Sequence, residues 1–290
     1  GTDAALKVAR ASYIAGFDGS SNVLAERMYN IPASGTMAHS FITSFEEEID
    51  AFRAFAETFP ENTVLLIDTY DTVQGARKAV VVGKEMVRRG EMLRGIRLDS
   101  GDMVQLSKEV RKILHEAGLD EVSIFASGGF DEFKIADYVQ AGCEIDAFGV
   151  GTKMGVSADA PYNDMAYKLV EYGDRPVLKL STSKETLVAK KQVFRFKQKN
   201  KPVKDSIALR HEHLEAEPLL KMVMKGGKRL HPRESLSEIR ERFRGEFASL
   251  DDRYKGIRDP DEYPVELGPE LRKLQKEVVR KTEEKELGES

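Results

Sequence analysis

The stretch Gly95-Ile96-Arg97-Leu98-Asp99-Ser100-Gly101-Asp102 decides how this chain folds. Its first half is a short apolar run of the kind that forms a strand buried on both faces. A helical pattern over residues 103–117 follows at once. Working outward, the same unit recurs on both sides. Residues 63–68 form an apolar strand followed by a helix over 73–89. Residues 122–127 form another, followed by a helix over 131–140, and 145–151 closes the series. Upstream, residues 31–36 enter a short strand and 45–59 read as a helix. Strands and helices alternating at roughly 25–35 residues per unit predict parallel βα pairing. The expected fold is α/β, a TIM-like (β/α) barrel, irregular or incomplete, over residues 1–160.

Beyond Pro161 the pattern changes. Residues 165–170, 176–180, 192–196 and 217–223 look like strands with turns between them, and 161–232 is expected to be a β-rich segment of a second α/β domain. Helices follow over 233–247, with Pro232 suited to the start, and over 269–285, so 233–290 forms a C-terminal helical part.

Composition narrows the function classes. Hydrophobic residues make up 41% and charged residues 32%, which suits a globular protein rather than a disordered one. The net charge is −4 and no stretch is basic enough for a nucleic-acid groove. No segment approaches the ~18 apolar residues that would span a bilayer, and no secretory signal is present, so a cytoplasmic enzyme with no membrane partner is expected. The single cysteine, Cys143, reads as a small buried hydrophobe. The amphipathic pattern over residues 3–11 begins at once, without an initiator methionine, and suggests a piece of a larger protein.

The polar residues gather where a barrel puts its chemistry. Asp68-Thr69-Tyr70-Asp71, Asp99-Ser100-Gly101-Asp102, Ser127-Gly128-Gly129 and Gly149-Val150-Gly151-Thr152 each close a strand. In such a fold those ends share one rim. Asp71, Asp102 and Asp131 are expected as helix N-caps. Asp68 and Asp99 remain as acids at the strand ends themselves. Gly151 and Thr152, with the adjacent Ser127, Gly128 and Gly129, offer backbone N–H groups and hydroxyls to a phosphate ester. Arg97 and Asp99 point the same way along their strand, either toward the mouth, where a guanidinium grips a carboxylate or phosphate, or as a structural ion pair. Two acids beside an anion-holding turn suit a pyrophosphate carried with Mg²⁺. His39 is one of five histidines, in Ser34-Gly35-Thr36-Met37-Ala38-His39-Ser40-Phe41, and by itself reads equally as structural or reactive.

Six motifs in order carry a resemblance. They are Gly16-Phe17-Asp18-Gly19-Ser20-Ser21-Asn22, Gly35-Thr36-Met37-Ala38-His39-Ser40-Phe41, Ile67-Asp68-Thr69-Tyr70-Asp71-Thr72, Arg97-Leu98-Asp99-Ser100-Gly101-Asp102, Ser127-Gly128-Gly129 and Phe148-Gly149-Val150-Gly151-Thr152. Lys179-Leu180-Ser181 and Lys191-Gln192-Val193-Phe194-Arg195 extend them. Together they resemble nicotinate phosphoribosyltransferase, a type II phosphoribosyltransferase, over nearly the whole chain but without that family's N-terminal domain. The resemblance implies transfer from phosphoribosyl pyrophosphate to nicotinate, with ATP as co-substrate and Mg²⁺ as cofactor. It implies that His39 is phosphorylated, with Asp68 and Asp99 near the ribose and the metal. Thr36, Ser40 and Arg97 would lie at the substrate, Arg97 against either the nicotinate carboxylate or the pyrophosphate. Ser127, Gly128, Gly129, Gly151 and Thr152 would hold the 5′-phosphate. The family also implies a homodimer or larger assembly, or an N-terminal partner chain. The alternatives are a nicotinamide or quinolinate phosphoribosyltransferase, or a non-catalytic ligand-binding remnant of the family.

Overall fold

In the computed structural model, residues 1–181, 185–286 and 288 are described. They divide into two compact units, one of residues 1–13 and 17–163, the other of residues 14–16 and 164–290.

The first unit opens with helices α1 (Thr2–Ala15), α2 (Val23–Tyr29), α3 (His39–Ile42) and α4 (Glu48–Thr58). Four βα units follow: β1 (Val64–Leu66) and α5 (Thr72–Arg88), β2 (Gly95–Leu98) and α6 (Met103–Glu116), β3 (Ser123–Ser127) and α7 (Glu132–Gln140), β4 (Ala147–Gly149) and α8 (Thr152–Gly155). The strands form one sheet in the order β1-β2-β3-β4, every pair parallel. Each strand therefore lies beside the one before it, with no reversal of direction across the sheet.

Burial explains why these runs became strands. Leu65, Leu66, Ile67, Ile96, Leu98 and Ile124 are fully buried and pack with Phe52, Ala76, Ala79, Met86 and Val110 from α4, α5 and α6. At roughly 1.5–3 kcal/mol per buried large side chain, this layer is the main stabilising term. α5 reaches β1 through Gly75, where an added Cβ would stand 2.0 Å from the carbonyl oxygen of Ile67. A second cluster closes β3, α7 and β4: the Phe130 ring meets Tyr138 and Phe148 edge-on at centroid distances of 5.5 and 5.1 Å.

The expected strand at residues 31–36 forms only a single parallel bridge, Ser20 to Ala33. Pro32 has no N–H to extend a ladder, and its carbonyl accepts from the amide of Ser20 instead. Cys143 is half-buried rather than buried.

In the second unit, β5 (Glu171–Tyr172) and β6 (Arg175–Pro176) make a two-residue ribbon. β7 (Lys191–Gln198) and β8 (Lys201–Leu209) form a long antiparallel hairpin, then come β9 (Glu217–Pro218), β10 (Met224–Lys225) and β11 (Lys228–Arg229). α9 (Leu236–Ser249), β12 (Val265–Leu267) and α10 (Pro269–Glu286) complete it. The main sheet runs β12-β8-β7-β9, with β12 parallel to β8. Lys199 and Asn200 turn the hairpin at φ of 50° and 64°, the left-handed pair that matches strand twist. Val188, Leu209 and Leu271 make its small core.

The expected strand over 165–170 is absent: Met165, Tyr167 and Leu169 are exposed coil. Residues 176–180 contribute only Pro176 to a strand, and 217–223 only Glu217–Pro218. α9 starts at Leu236, beyond Pro232, because Ser235 and Glu238 build a reciprocal capping box.

Candidate active site

Parallel register aligns the strand ends. Leu66 pairs with Arg97 and Arg97 with Phe125, while Ser127 pairs with Gly149. Continued by two residues, that register sets Asp68, Asp99, Ser127 and Gly149 in one row along the C-terminal edge of the sheet. Three helices begin just beyond. Asp71, Asp102 and Asp131 cap them, accepting from the amides of Gln74, Gln105 and Lys134 at 2.8, 3.2 and 2.8 Å. The acids at the strand ends are left for other work.

Arg97 organises the row. Its Nε donates to Ser127 Oγ at 2.7 Å, Nη1 to Thr36 Oγ1 at 2.8 Å and to the Met37 carbonyl, and Nη2 to Asp99 Oδ1 at 2.8 Å. One guanidinium thus ties the ends of β2 and β3 to the loop that precedes α3. His39, the first residue of α3, brings its ring to the same place: Nδ1 lies 3.1 Å from Thr69 Oγ1, and Nε2 lies 3.7 Å from Asp99 Oδ2. Ser127 Oγ also donates to Asp99 Oδ1. Asp99 therefore offers one oxygen to Arg97 and Ser127 and turns the other toward the imidazole.

Burial of Asp99 works against its charge. Hydrogen bonds from Ser127 and Arg97, with the Arg97 and His39 charges, outweigh that cost and hold its carboxyl below the usual carboxylate range. Asp68 is tied to the next strand: its Oδ2 accepts from the Asp99 amide at 2.9 Å and from Ser100 Oγ at 2.6 Å. Its Oδ1 is buried without a hydrogen-bond partner.

The glycine turns border this cluster. Gly128 has φ of 114°, and a Cβ there would stand 2.5 Å from the Asp99 carbonyl oxygen, so only glycine lets the two backbones meet. Gly129, at φ of 64°, and Gly151, the N-cap of α8, would both point an added Cβ into open space. Thr152 is the first residue of α8. Two lysines absent from the sequence expectation stand here. Lys134 Nζ donates to the Gly128 carbonyl at 2.9 Å, and Lys153 Nζ pairs with Asp131 at 2.5 Å. Lys153, Asp131, Met154 and Ser157 help to line a cavity of about 230 Å³ beside the turn.

Of the expected site residues, Thr36, Asp68, Arg97, Asp99 and Ser127 converge in one hydrogen-bonded group, and the His39 ring stands 3.7 Å from its Asp99. Among the described residues, Ser40, Gly151 and Thr152 have no hydrogen bond to that group. Thr69 and Ser100 were not singled out, although each directly follows an acid that was. Among the described residues, no group of three or more His, Cys, Asp or Glu side chains is arranged to hold a metal ion.

A family model described as "Nicotinate phosphoribosyltransferase (NAPRTase) family" matches residues 3–204. The chain belongs to the nicotinate phosphoribosyltransferase family. A second model, for the "Nicotinate phosphoribosyltransferase C-terminal domain", matches residues 210–275. The chain is 44% identical over 273 residues to the nicotinate phosphoribosyltransferase pncB2 of Mycobacterium tuberculosis, covering 93% of this chain and 58% of that relative. It is 35% identical over 297 residues to the nicotinate phosphoribosyltransferase of Bacillus subtilis, covering 91% of this chain and 60% of that relative. The chain thus spans under two thirds of the length of these nicotinate phosphoribosyltransferases. Human nicotinic acid phosphoribosyltransferase superposes with a TM-score of 0.81 at 27% identity, covering 94% of this chain and 67% of that one. A nicotinate-nucleotide pyrophosphorylase from Pyrococcus furiosus superposes with a TM-score of 0.72 at 32% identity, covering 85% and 62%. These family structures share its mixed α/β fold with a parallel sheet. Among the described residues no helix is long and apolar enough to cross a membrane.

Proposed function

We propose that this chain carries the reacting groups of a nicotinate phosphoribosyltransferase, joining nicotinate to the ribosyl carbon of phosphoribosyl pyrophosphate with release of pyrophosphate, a step of NAD biosynthesis. The observation that carries the reading is the single cluster of Arg97, Asp99, Ser127, Thr36 and His39 at the C-terminal strand edge. The C1–oxygen bond to pyrophosphate breaks as the pyridine nitrogen bonds to C1, through a state with positive charge on the ribose. Alignment and neutralisation of the leaving group then matter more than a strong base. Asp68 and Asp99 face the ribose, Arg97 with Thr36 and Ser40 takes the anionic substrate groups, and the backbone of Ser127, Gly128, Gly129, Gly151 and Thr152 cradles the 5′-phosphate.

ATP is a co-substrate. A ring nitrogen of His39 attacks the terminal phosphorus, the bond to ADP breaks, and later hydrolysis of the N–P bond biases a reversible transfer. The Thr69 hydroxyl and the Asp99 carboxylate flank the two nitrogens, which supports an oriented rather than a rotating ring. Magnesium would enter with phosphoribosyl pyrophosphate and ATP, near Asp68 and Asp99, and would neutralise the charge of the leaving pyrophosphate. The four sequential parallel strands read as an arc of a (β/α) barrel, whose chemistry sits at this edge. Completion of the pocket across a homodimer, or by an N-terminal region, belongs to the same reading.

Intact-mass measurement after incubation with ATP tests it. One acid-labile phosphate is expected on the wild type and none on His39→Ala, with ATP hydrolysis stimulated by nicotinate. Nicotinamide and quinolinate, offered as rival acceptors, should give no mononucleotide. Phosphate on His39→Ala, or product from quinolinate without ATP, would overturn the assignment.

A further inference from the structure

Ser127 offers a hydroxyl at the point where an ordinary arginine–aspartate pair would close. A guanidinium and a carboxylate left to themselves prefer two parallel bonds, with both oxygens consumed by Nε and one Nη. That is not what the site holds. Nη2 of Arg97 bonds to Asp99 Oδ1 at 2.8 Å, but Nε goes to Ser127 Oγ at 2.7 Å. The Ser127 hydroxyl hydrogen is passed on to the same Asp99 Oδ1. The serine stands where the second carboxylate oxygen would sit.

We propose that Ser127 is a positioning residue that holds the Arg97–Asp99 pair out of two-point closure, so that Asp99 Oδ2 stays turned toward His39 Nε2. This rests on the reading of His39 as the reacting group but acts through geometry alone. The pairing that makes it work is built into the sheet: Arg97 faces Phe125 across β2 and β3, so the residue level with Asp99 is Ser127. Gly128 adds to it, because its missing Cβ lets the backbone after Ser127 press against the Asp99 carbonyl. Without the hydroxyl, Nε of Arg97 is left without an acceptor in a side chain only 23% exposed. The nearest replacement is Asp99 Oδ2, and taking it rotates that oxygen away from the imidazole.

The ring nitrogens of His39 report this directly. In the full 290-residue chain with isotope-labelled histidine, His39 is assigned by loss of its signals in His39→Gln. Asp99→Asn is expected to move both ring-nitrogen shifts. Ser127→Ala and Ser127→Cys should move them in the same direction, while Ser127→Thr, which keeps the hydroxyl, retains the wild-type pattern. Cysteine nearly preserves the serine shape, so it carries the test if alanine perturbs folding, which the backbone amide spectrum reads. Wild-type His39 shifts in folded Ser127→Ala or Ser127→Cys would overturn the proposal, as would a displaced pattern in Ser127→Thr. A wild type that takes no phosphate from ATP but shows these shifts would sink the functional reading and leave this one standing.

Discussion

The backbone amide of Asp99 donates to a carboxylate oxygen of Asp68 at 2.9 Å, so the acid at the end of one strand is held by the main chain of the next. Ser100 supplies a second bond to the same oxygen. Asp68→Ala removes the acceptor of both bonds at once and is expected to cost about 1–3 kcal/mol. Asp68→Asn keeps a carbonyl oxygen there and should cost less. Chemical denaturation of the two variants checks the order; equal stability of Asp68→Ala and wild type would show that the amide finds another acceptor.

Gly75 separates crowding from helix propensity. A methyl group there meets backbone at 2.0 Å, which nothing but a shift of α5 away from β1 can relieve. Gly75→Ala should therefore cost at least about 1–3 kcal/mol, despite the better helix former. Gly83, on the same helix, would meet only the Leu93 and Leu119 side-chain ends at 3.2 Å. Gly83→Ala is expected to stay within about 1 kcal/mol of wild type. Thermal unfolding of the pair gives the comparison, and similar losses would refute it.

In the second unit, Arg195 makes two bonds to Asp205, at 3.0 and 2.9 Å, and Tyr263 donates a third at 3.2 Å. Asp205→Ala strands a half-buried guanidinium and should destabilise this hairpin by about 3 kcal/mol. Burial and then the Asp205 charge push the Tyr263 phenol up, with Arg195 opposing. In Asp205→Asn the phenol should move back toward its ordinary value without reaching it, since burial remains. Ultraviolet titration reads the phenolate, and an unchanged titration would remove Asp205 from the account.

Two groups titrate with opposite signs. Hydrogen bonding to Asp120, and its charge, raise His115, so that pair stabilises the fold below about 6.5 and its contribution is lost as pH rises through the raised value. The depressed Asp99 stabilises above its ordinary range, and that contribution is lost as pH falls through the lowered value. His115 is exposed, so its effect is best seen by magnetic-resonance titration, with Asp120→Asn returning it to the ordinary range. A His115 that titrates alike with and without Asp120 would contradict the pairing.

The sequence made the four parallel strands legible because each lies in a short apolar run, and the first three have a capping acid a few positions on. Their bounds were off by at most two residues at either end, and Asp71, Asp102 and Asp131 cap as expected. The alternating pattern at Met165–Val170 misled because a strand is made by its partner, and no partner strand lies beside it among the described residues. At the site, residue type and strand-end position brought Asp68, Arg97 and Asp99 forward, whereas His39 came forward only through the resemblance carried by Gly35-Thr36-Met37-Ala38-His39-Ser40-Phe41. The direction of the Ser127 hydroxyl was not legible. Its partners Asp99, Leu98 and Arg97 lie 28, 29 and 30 positions away, and nothing local to Ser127-Gly128-Gly129 points toward them.

The strand order of the first unit also bears on how the protein comes to exist. Because β2 needs only β1, β3 only β2 and β4 only β3, each pairing closes over a few tens of residues. Such short-range closure favours rapid assembly over slow searching. The sheet can be laid down strand by strand as the polypeptide leaves the ribosome, so the grip between Arg97 and Ser127 becomes available once β3 docks, before α7 has been added.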